Sequence, residues 1–241
     1  MTTNSKLMIL MLVLTLSGQG HTGKIFGGQP VPPQSRPYMV LVKNQLQGGN
    51  KTYCGGFLLR EDFVMTAAHC LANSHEVFLG FTNYSHSKVH IHVESTFPRK
   101  DFNTTAKTND LMLLKLSSNA KFTPSIRPIA LAGEDDGSLP SSCSVSGWGR
   151  TNYNSKGLSR VLMEVNVTLV ENCPKENSYC SEGLDGPGEG DSGGPLVCED
   201  GRAYGVVSAG KKTTSGDLVH SYTKISDYSS WIDAIMNPEQ P

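Results

Sequence analysis

The chain has no hydrophobic run long enough to cross a membrane as a helix. Its longest apolar run covers residues 7–16, follows Lys6 and is followed by the small residues Gly18 and Gly20. A spanning helix needs about 20 apolar residues, so this run has the pattern of a secretory signal peptide instead. The sequence predicts a signal peptide over residues 1–20 and a secreted mature protein with no membrane segment.

A strong excess of positive charge is also missing. The 241 residues include 21 Lys and Arg against 22 Asp and Glu, and only 19 basic residues remain when Lys6 and Lys24 are removed with residues 1–24. A broad basic surface is the usual electrostatic footprint of nucleic-acid binding. We therefore expect no nucleic-acid partner.

The sequence lacks Cys-x-x-Cys pairs of the kind that hold structural zinc. Six cysteines in an exported chain predict three disulfides, although their spacing alone leaves the pairing open. His90 and His92 alternate along a predicted strand, which indicates two solvent-facing side chains rather than a metal site. We expect no metal and no cofactor.

Helical periodicity is absent until the end of the chain, and the rest predicts an all-β fold. Short apolar runs are separated by Gly, Asn, Pro and Ser, which is typical of an antiparallel sandwich or barrel. These runs cover residues 38–46, 57–59, 63–66, 77–79, 89–93 and 111–116, then 144–146, 161–170, 195–198, 204–208 and 220–225. We predict two antiparallel β-barrels, over residues 25–125 and 126–226, with a functional cleft between them. Residues 226–236 carry apolar side chains on one face and predict a C-terminal α-helix with Ser226 as its N-cap.

One stretch points to nucleophilic catalysis. Residues 190–195 read Gly-Asp-Ser-Gly-Gly-Pro, a pattern that an ordinary turn could also explain. A bend here exposes the hydroxyl of Ser192 and aims the N–H groups of Gly190 and Ser192 at one point, as an oxyanion hole requires. A serine needs a base and an orienting acid, and His69 and Asp110 provide them.

The order His69, Asp110, Ser192 resembles that of the chymotrypsin-like enzymes and differs from that of subtilisins and α/β-hydrolases. The chain from Ile25 to about Met236 looks like a trypsin-family serine protease of the chymotrypsin fold, in the granzyme and mast-cell protease branch. The resemblance implies a serine endopeptidase of immune defence, either extracellular or stored in secretory granules. It also selects the disulfide pairs Cys54–Cys70, Cys143–Cys198 and Cys173–Cys180.

The resemblance implies activation by proteolysis. Residues 21–24 would be the activation propeptide, or Gly23-Lys24 alone if the signal is cleaved after Thr22, and residues 25–241 the protease domain. Removing the propeptide gives Ile25 an α-ammonium group, which would fold inward and pair with Asp191. Phe26 stands where the family usually has a smaller residue.

Family positions also indicate the substrate site. Gly186 stands where tryptic relatives have an aspartate, so the base of the pocket has no carboxylate to pair with a Lys or Arg side chain. His220 aligns with the residue that reaches the pocket base, and Glu189 lies at the pocket entrance. The segment Ser208-Ala209-Gly210 aligns with the backbone that pairs with extended substrate, with Ala209 in place of an aromatic residue. A large apolar residue is the favoured primary specificity and an acidic residue the second.

Further expectations concern partners and modification. The partners would be peptide or protein substrates and protein protease inhibitors, and the mature protein would be a monomer. Sequons at Asn50, Asn83, Asn103 and Asn166 predict glycosylation in an exported chain. The alternative function is an inactive protease homologue that acts as a secreted binding or antimicrobial protein. Such homologues usually lose a triad member, and this chain keeps all three.

Overall fold

The described part of the computed structural model contains fourteen short strands, all paired antiparallel, and little helix. The structure describes residues 25, 27–86, 88–133, 139–140, 142–150, 157–213 and 218–238. The predicted signal peptide, the propeptide and Phe26 lie outside these residues. The strands are β1 (Gln29–Pro30), β2 (Met39–Gln45), β3 (Lys51–Arg60), β4 (Phe63–Thr66), β5 (Ser74–Leu79), β6 (Val89–Pro98), β7 (Met112–Leu116), β8 (Cys143–Gly147), β9 (Met163–Val167), β10 (Leu169–Val170), β11 (Ser178–Glu182), β12 (Pro195–Cys198), β13 (Ala203–Lys212) and β14 (Leu218–Lys224).

The first half closes into a six-stranded barrel in the order β2-β3-β4-β7-β6-β5. Its core is built from apolar side chains of several strands, among them the fully buried Phe57, Val64 and Leu113. Burying a side chain of this size contributes about 1.5–3 kcal/mol, so the closed barrel is a rigid support for the segments at its rim.

The second half forms an eight-stranded sheet in the order β1-β9-β8-β12-β13-β14-β11-β10. Within β9, Met163, Val165 and Val167 are buried while Glu164 and Asn166 are more exposed, the alternation of a strand with one buried face. The strand β1 belongs to this sheet, where Gln29 and Pro30 pair with β9, although it precedes the first barrel in sequence. The all-β class and the closed first barrel are thus confirmed, and the second half is an eight-stranded sheet.

The C-terminal helix α1 (Ser229–Met236) follows a 3₁₀ turn at Ser226–Tyr228. Tyr228 and Ile232 are buried against the core of the first barrel, so the chain returns from the second half to brace the first. The predicted N-cap is wrong, because Ser226 begins the 3₁₀ turn and no side chain caps either helix. Instead the carbonyl of Ser226 accepts a hydrogen bond from the Ser229 hydroxyl.

Candidate active site

His69 lies in a 3₁₀ turn, Ala68–Cys70, immediately after β4. The turn is fixed on one side by the Cys70–Cys54 disulfide to β3. On the other side, the backbone N–H of His69 donates to Asp110 Oδ1 at 2.9 Å. The histidine is therefore held through its backbone, which leaves the imidazole to be oriented by a single side-chain contact.

That contact is also made by Asp110, which is fully buried just before β7. Its Oδ2 atom lies 2.7 Å from His69 Nδ1 and 2.6 Å from the hydroxyl of Ser208. Burial alone would raise the pKa of Asp110, but the hydrogen bonds and charge of His69 and the Ser208 hydroxyl outweigh it and lower the pKa. Asp110 is therefore ionised at neutral pH. Because a carboxylate only accepts, Nδ1 carries the proton and Nε2 is left as the basic nitrogen.

Ser192 lies in the loop before β12 of the second sheet, and this loop packs against the first barrel. Its carbonyl accepts a hydrogen bond of 2.8 Å from the N–H of Gly55 in β3 and lies 3.9 Å from Cys70 Sγ. Ser192 is thus brought beside the turn that holds His69. Within the described residues, Ser192 Oγ and His69 Nε2 are not hydrogen-bonded, and such contacts commonly tighten only when substrate binds.

Glycine at position 193 allows this close approach. Its φ is +86°, and a Cβ there would lie 2.1 Å from Thr66 Oγ1 and 2.5 Å from the carbonyl of Gly55. Any side chain would push the serine loop away from the first barrel. The Gly-Gly pair of the motif is therefore a contact between the second sheet and the first barrel as well as a turn.

The predicted oxyanion donors flank the same bend. Gly190 has φ of +98°, and a Cβ there would lie 2.6 Å from Leu158 Cδ2. Among the described residues, the N–H groups of Gly190 and Ser192 make no backbone hydrogen bond, whereas the intervening N–H of Asp191 donates to the carbonyl of Gly188. Both N–H groups remain free for an oxyanion.

The residue before the nucleophile, Asp191, is completely buried. It accepts hydrogen bonds from the N–H groups of Gly149 at 2.7 Å and Gly188 at 2.8 Å. Burial raises its pKa to about 7, more than these two bonds offset. No cation of the described residues pairs with it. Ile25, also fully buried, packs in the core of the second sheet.

His220 and the other predicted pocket residues except Gly186 line a cavity of about 290 Å³ beside Ser192, and Gly186 is not among the residues that line it. His220 is 1% exposed, and within the part of the chain that the structure describes neither of its ring nitrogens has a hydrogen-bond partner. Burial lowers the pKa of His220, so its neutral form dominates at pH 7. A Cβ on Gly186 would lie 2.5 Å from His220 Nε2, so the imidazole occupies the space a longer residue at 186 would need. Further lining residues are Pro187, Gly188, Glu189, Val207, Ser208, Ala209, Gly210, Leu218 and Arg150.

Two contributors to the site were missed from the sequence. Arg150 pairs with Glu189 at 2.9 Å, which offsets the negative charge expected at the pocket entrance. Lys175 donates to Ser208 Oγ at 2.9 Å behind the triad acid. Neither residue lies in a recognisable motif, and the only sequence signal for Lys175 was its place between Cys173 and Cys180.

Three disulfides are present, and they are the pairs that the resemblance implies. Cys54–Cys70 braces the His69 turn and Cys143–Cys198 joins β8 to β12, the strand that follows Ser192. Cys173–Cys180 closes the short loop that carries Lys175. Across the described residues, no helix is long and apolar enough to cross a membrane.

Comparison with known proteins agrees with this geometry. The family model described as Trypsin matches residues 25–232. Granzyme E of Mus musculus is 39% identical over 245 residues, covering 95% of this chain and 98% of the relative. Mast cell protease 3 of Ovis aries is 39% identical over 249 residues, covering 95% and 96%. A solved structure of GrC has a TM-score of 0.74 at 34% identity and covers 87% of this chain and 98% of its own. The chain therefore belongs to the trypsin family, in its granzyme- and mast-cell-protease-like branch, and is a serine-type endopeptidase acting on peptide or protein substrates.

Proposed function

We propose that the protein is a secreted endopeptidase, made as a zymogen, that hydrolyses peptide bonds through an acyl-enzyme. The observation that carries the proposal is the 2.7 Å contact between His69 Nδ1 and the buried, ionised Asp110. This contact leaves Nε2 as a base on the side of the ring away from Asp110. A structural histidine has no need of a buried carboxylate as its partner.

The mechanism assigns one role to each triad member. Ser192 Oγ attacks the substrate carbonyl while His69 Nε2 takes its proton, and the same proton then goes to the departing amine. Asp110 holds the ring orientation and stabilises the imidazolium that forms. Water repeats the sequence on the acyl-enzyme and restores the serine.

The developing oxyanion would be held by the N–H groups of Gly190 and Ser192. Their free state within the described residues supports this role. Activation would remove residues 21–24 and bring the new ammonium group of Ile25 to Asp191. The unpaired burial of Asp191 supports that pairing, because a buried carboxylate is costly until it meets a cation.

The primary specificity would be non-tryptic. Among the described lining residues, the only carboxylate is that of Glu189 at the entrance, paired with Arg150, and the neutral His220 at the base is compatible with a large apolar residue such as Phe, Tyr, Leu or Met. An acidic residue is the second choice and depends on protonation of His220. The Glu189–Arg150 pair makes this second choice more accessible than the sequence alone indicated.

Secretion, extracellular or in granules, follows from the predicted signal peptide, with residues 1–20 removed. Asn50, Asn103 and Asn166 are exposed, and Asn83 is half-buried, so all four sequons are candidates for glycosylation. The active form would be a monomer without a cofactor, open to protein protease inhibitors at its cleft.

A fluorophosphonate probe tests the proposal, because only an activated serine reacts with it. Protein beginning at Ile25 should be labelled at Ser192, and His69→Ala should abolish labelling while the fold, measured by circular dichroism, is kept. An inactive homologue acting as a binding protein would give no labelling in either form.

A further inference from the structure

A lysine reaches the back of the active site from the short loop closed by Cys173–Cys180, whose cysteines are seven positions apart. The Nζ atom of Lys175 donates to Ser208 Oγ in β13 at 2.9 Å and to Ser221 Oγ in β14 at 3.2 Å. The lysine is half-buried. It therefore joins two neighbouring strands immediately behind Asp110.

The ammonium group determines the direction of the next hydrogen bond. An ammonium only donates, so Ser208 Oγ must accept from Lys175 and has a single proton left to give. That proton goes to Asp110 Oδ2 at 2.6 Å, since the other acceptor, the carbonyl of Lys107, is 3.5 Å away. Lys175 thus orders the chain of donors that ends on the triad carboxylate.

The same lysine fixes a second hydroxyl. Ser221 Oγ accepts a hydrogen bond from Lys175 and donates one to the carbonyl of Ala209 at 3.3 Å. Ala209 belongs to the 208–210 segment that lies along the cleft. One ammonium group therefore anchors both the acid of the triad and the adjacent backbone shelf.

The charge of Lys175 acts on the triad as well. Burial lowers its pKa to about 8, the charge of Asp110 acts in the opposite direction, and Lys107 lowers it further. From β13 and β14 it meets only neutral hydroxyls. Lys175 is thus mainly a cation at pH 7, close to the carboxylate that stabilises the His69 imidazolium.

We propose that Lys175 is a positioning residue for the proposed hydrolysis: through Ser208 it holds Asp110 against His69, and its positive charge opposes the imidazolium that forms during the reaction. The inference depends on the proposed function. A nearby cation weakens the field of Asp110 at the imidazolium, so the acid limb of the pH profile lies at lower pH than Asp110 alone would set.

The experiment measures kcat/KM of the processed protein from pH 5 to 9 for wild type, Lys175→Met and Lys175→Arg. Lys175→Met should raise the kinetic pKa of the acid limb by about 0.5–1 unit, which lowers activity on that limb about three- to tenfold. Lys175→Arg should stay near wild type. An inflection near pH 8 should be present in wild type and missing in the methionine variant. Lys121→Met, which removes the same charge at an exposed position, is the matched control.

The route through Ser208 is tested by a double-mutant cycle. If Lys175 acts through Ser208, the shift caused by Lys175→Met should shrink by more than half when Ser208→Ala is already present. Labelling of wild type by the fluorophosphonate probe separates the two hypotheses. Absent labelling defeats the proposed function, whereas labelling with superimposable wild-type and Lys175→Met profiles defeats the role of Lys175. Should Lys175→Met fold poorly, Lys175→Gln gives the same test.

An independent inference comes from the outside of the first barrel. Glu76 in β5 stands opposite His92 in β6, and His90 lies two residues earlier on the same face. Their ligand atoms all lie within 4.8 Å of one another. The ring of His90 stacks on Phe78, with centroids 5.0 Å apart, and this contact fixes its plane.

The geometry assigns to Glu76, His90 and His92 a surface site for a first-row transition-metal cation such as Zn²⁺, which is intermediate between hard and soft. Two imidazoles and a carboxylate are a donor set that zinc accepts with further positions open. Lys43 pairs with Glu76 Oε2 at 2.7 Å and competes with the metal. This ion pair is partly exposed and screened by solvent, so it holds Glu76 only weakly, and Oε1 remains for the metal. This departs from the expectation that His90 and His92 only face solvent.

Equilibrium dialysis of the processed protein against ZnCl₂ at pH 7.5 tests the site. Wild type and the control His86→Asn should each bind one zinc ion at this site. His90→Asn and His92→Asn should weaken that binding at least tenfold, and Lys43→Met should strengthen it. Equal zinc binding by wild type and both histidine variants would overturn the assignment, as would no binding by wild type.

Discussion

The carboxylate of Asp191 meets the backbone N–H of Gly149 at 2.7 Å in a site closed to solvent. The fit is close, because a Cβ on Gly149 would lie 2.4 Å from Asp191 Oδ2. The backbone N–H groups of Gly149 and Gly188 therefore stabilise the carboxylate, although less than a cation would. Asp191 can therefore either keep its proton or ionise and pair with a cation.

This relationship predicts how the unprocessed protein responds to pH. Burial raises the pKa of Asp191 from 3.8 to about 7, so the folded state holds a proton that the unfolded state releases. Stability from this group is complete below about pH 4 and is lost as the pH rises through about 7. The loss amounts to at most about 4 kcal/mol in the free energy of unfolding.

Urea denaturation of protein retaining residues 21–24, carried out between pH 4 and 8, measures this loss. Asp191→Asn in the same form should remove most of the pH dependence, because the amide has no proton to release. The processed protein should lack the loss as well, since its ammonium group stabilises the carboxylate. Equal slopes for the aspartate and asparagine forms would contradict the assignment.

Activation itself provides a second prediction. Protein that keeps Gly23-Lys24 should hydrolyse peptide reporters at least about a hundredfold more slowly than protein beginning at Ile25, as expected when oxyanion donors are misplaced. N-terminal sequencing of each sample establishes which form was assayed. Full activity in a sample shown to be uncleaved would refute the proposed switch.

A third prediction isolates the nucleophile. Ser192→Ala removes only a hydroxyl in the cleft, so we expect amide hydrolysis to fall by about 10⁵–10⁶-fold. The midpoint of thermal unfolding should move by less than about 2 °C, because the change removes little packing. Near wild-type turnover by the alanine variant would show that another residue attacks the substrate.

Much of the fold was predictable because short apolar runs bounded by turn residues are typical of buried strands. The predicted runs 63–66 and 195–198 coincide with β4 and β12. Two strands were missed for physical reasons. β1 has only two residues, too few for a pattern, and β11 (Ser178–Glu182) buries Tyr179 and Cys180 among polar neighbours.

The residues of the active site also include some that could be predicted from the sequence and some that could not. His69, Asp110 and Ser192 could be named because their chemistry demands particular residue types in a particular order. Arg150 and Lys175 could not, because their roles arise from loops that meet only in three dimensions. A lone arginine or lysine in a loop is usually a solvated charge, and no local pattern distinguishes these two.

The last prediction concerns the base of the pocket, where His220 and Gly186 share one space. Because burial lowers the pKa of His220, reporters with Phe, Tyr, Leu or Met at the cleaved position should be hydrolysed fastest at pH 8. The ratio of acidic to apolar cleavage should rise toward pH 5.5, as the imidazole gains its proton, and His220→Arg should raise that ratio at all pH values.

A change of Gly186 tests the same space from the other side. Gly186→Asp alone should not produce cleavage after Arg or Lys, because its Cβ would lie 2.5 Å from His220 Nε2 and displace the new carboxylate. The double variant Gly186→Asp/His220→Gly removes the obstructing ring and should acquire that activity, since a buried cation then has a partner. Rapid hydrolysis of an arginyl reporter by wild type, with apolar and acidic reporters untouched, would show that this description of the pocket is wrong.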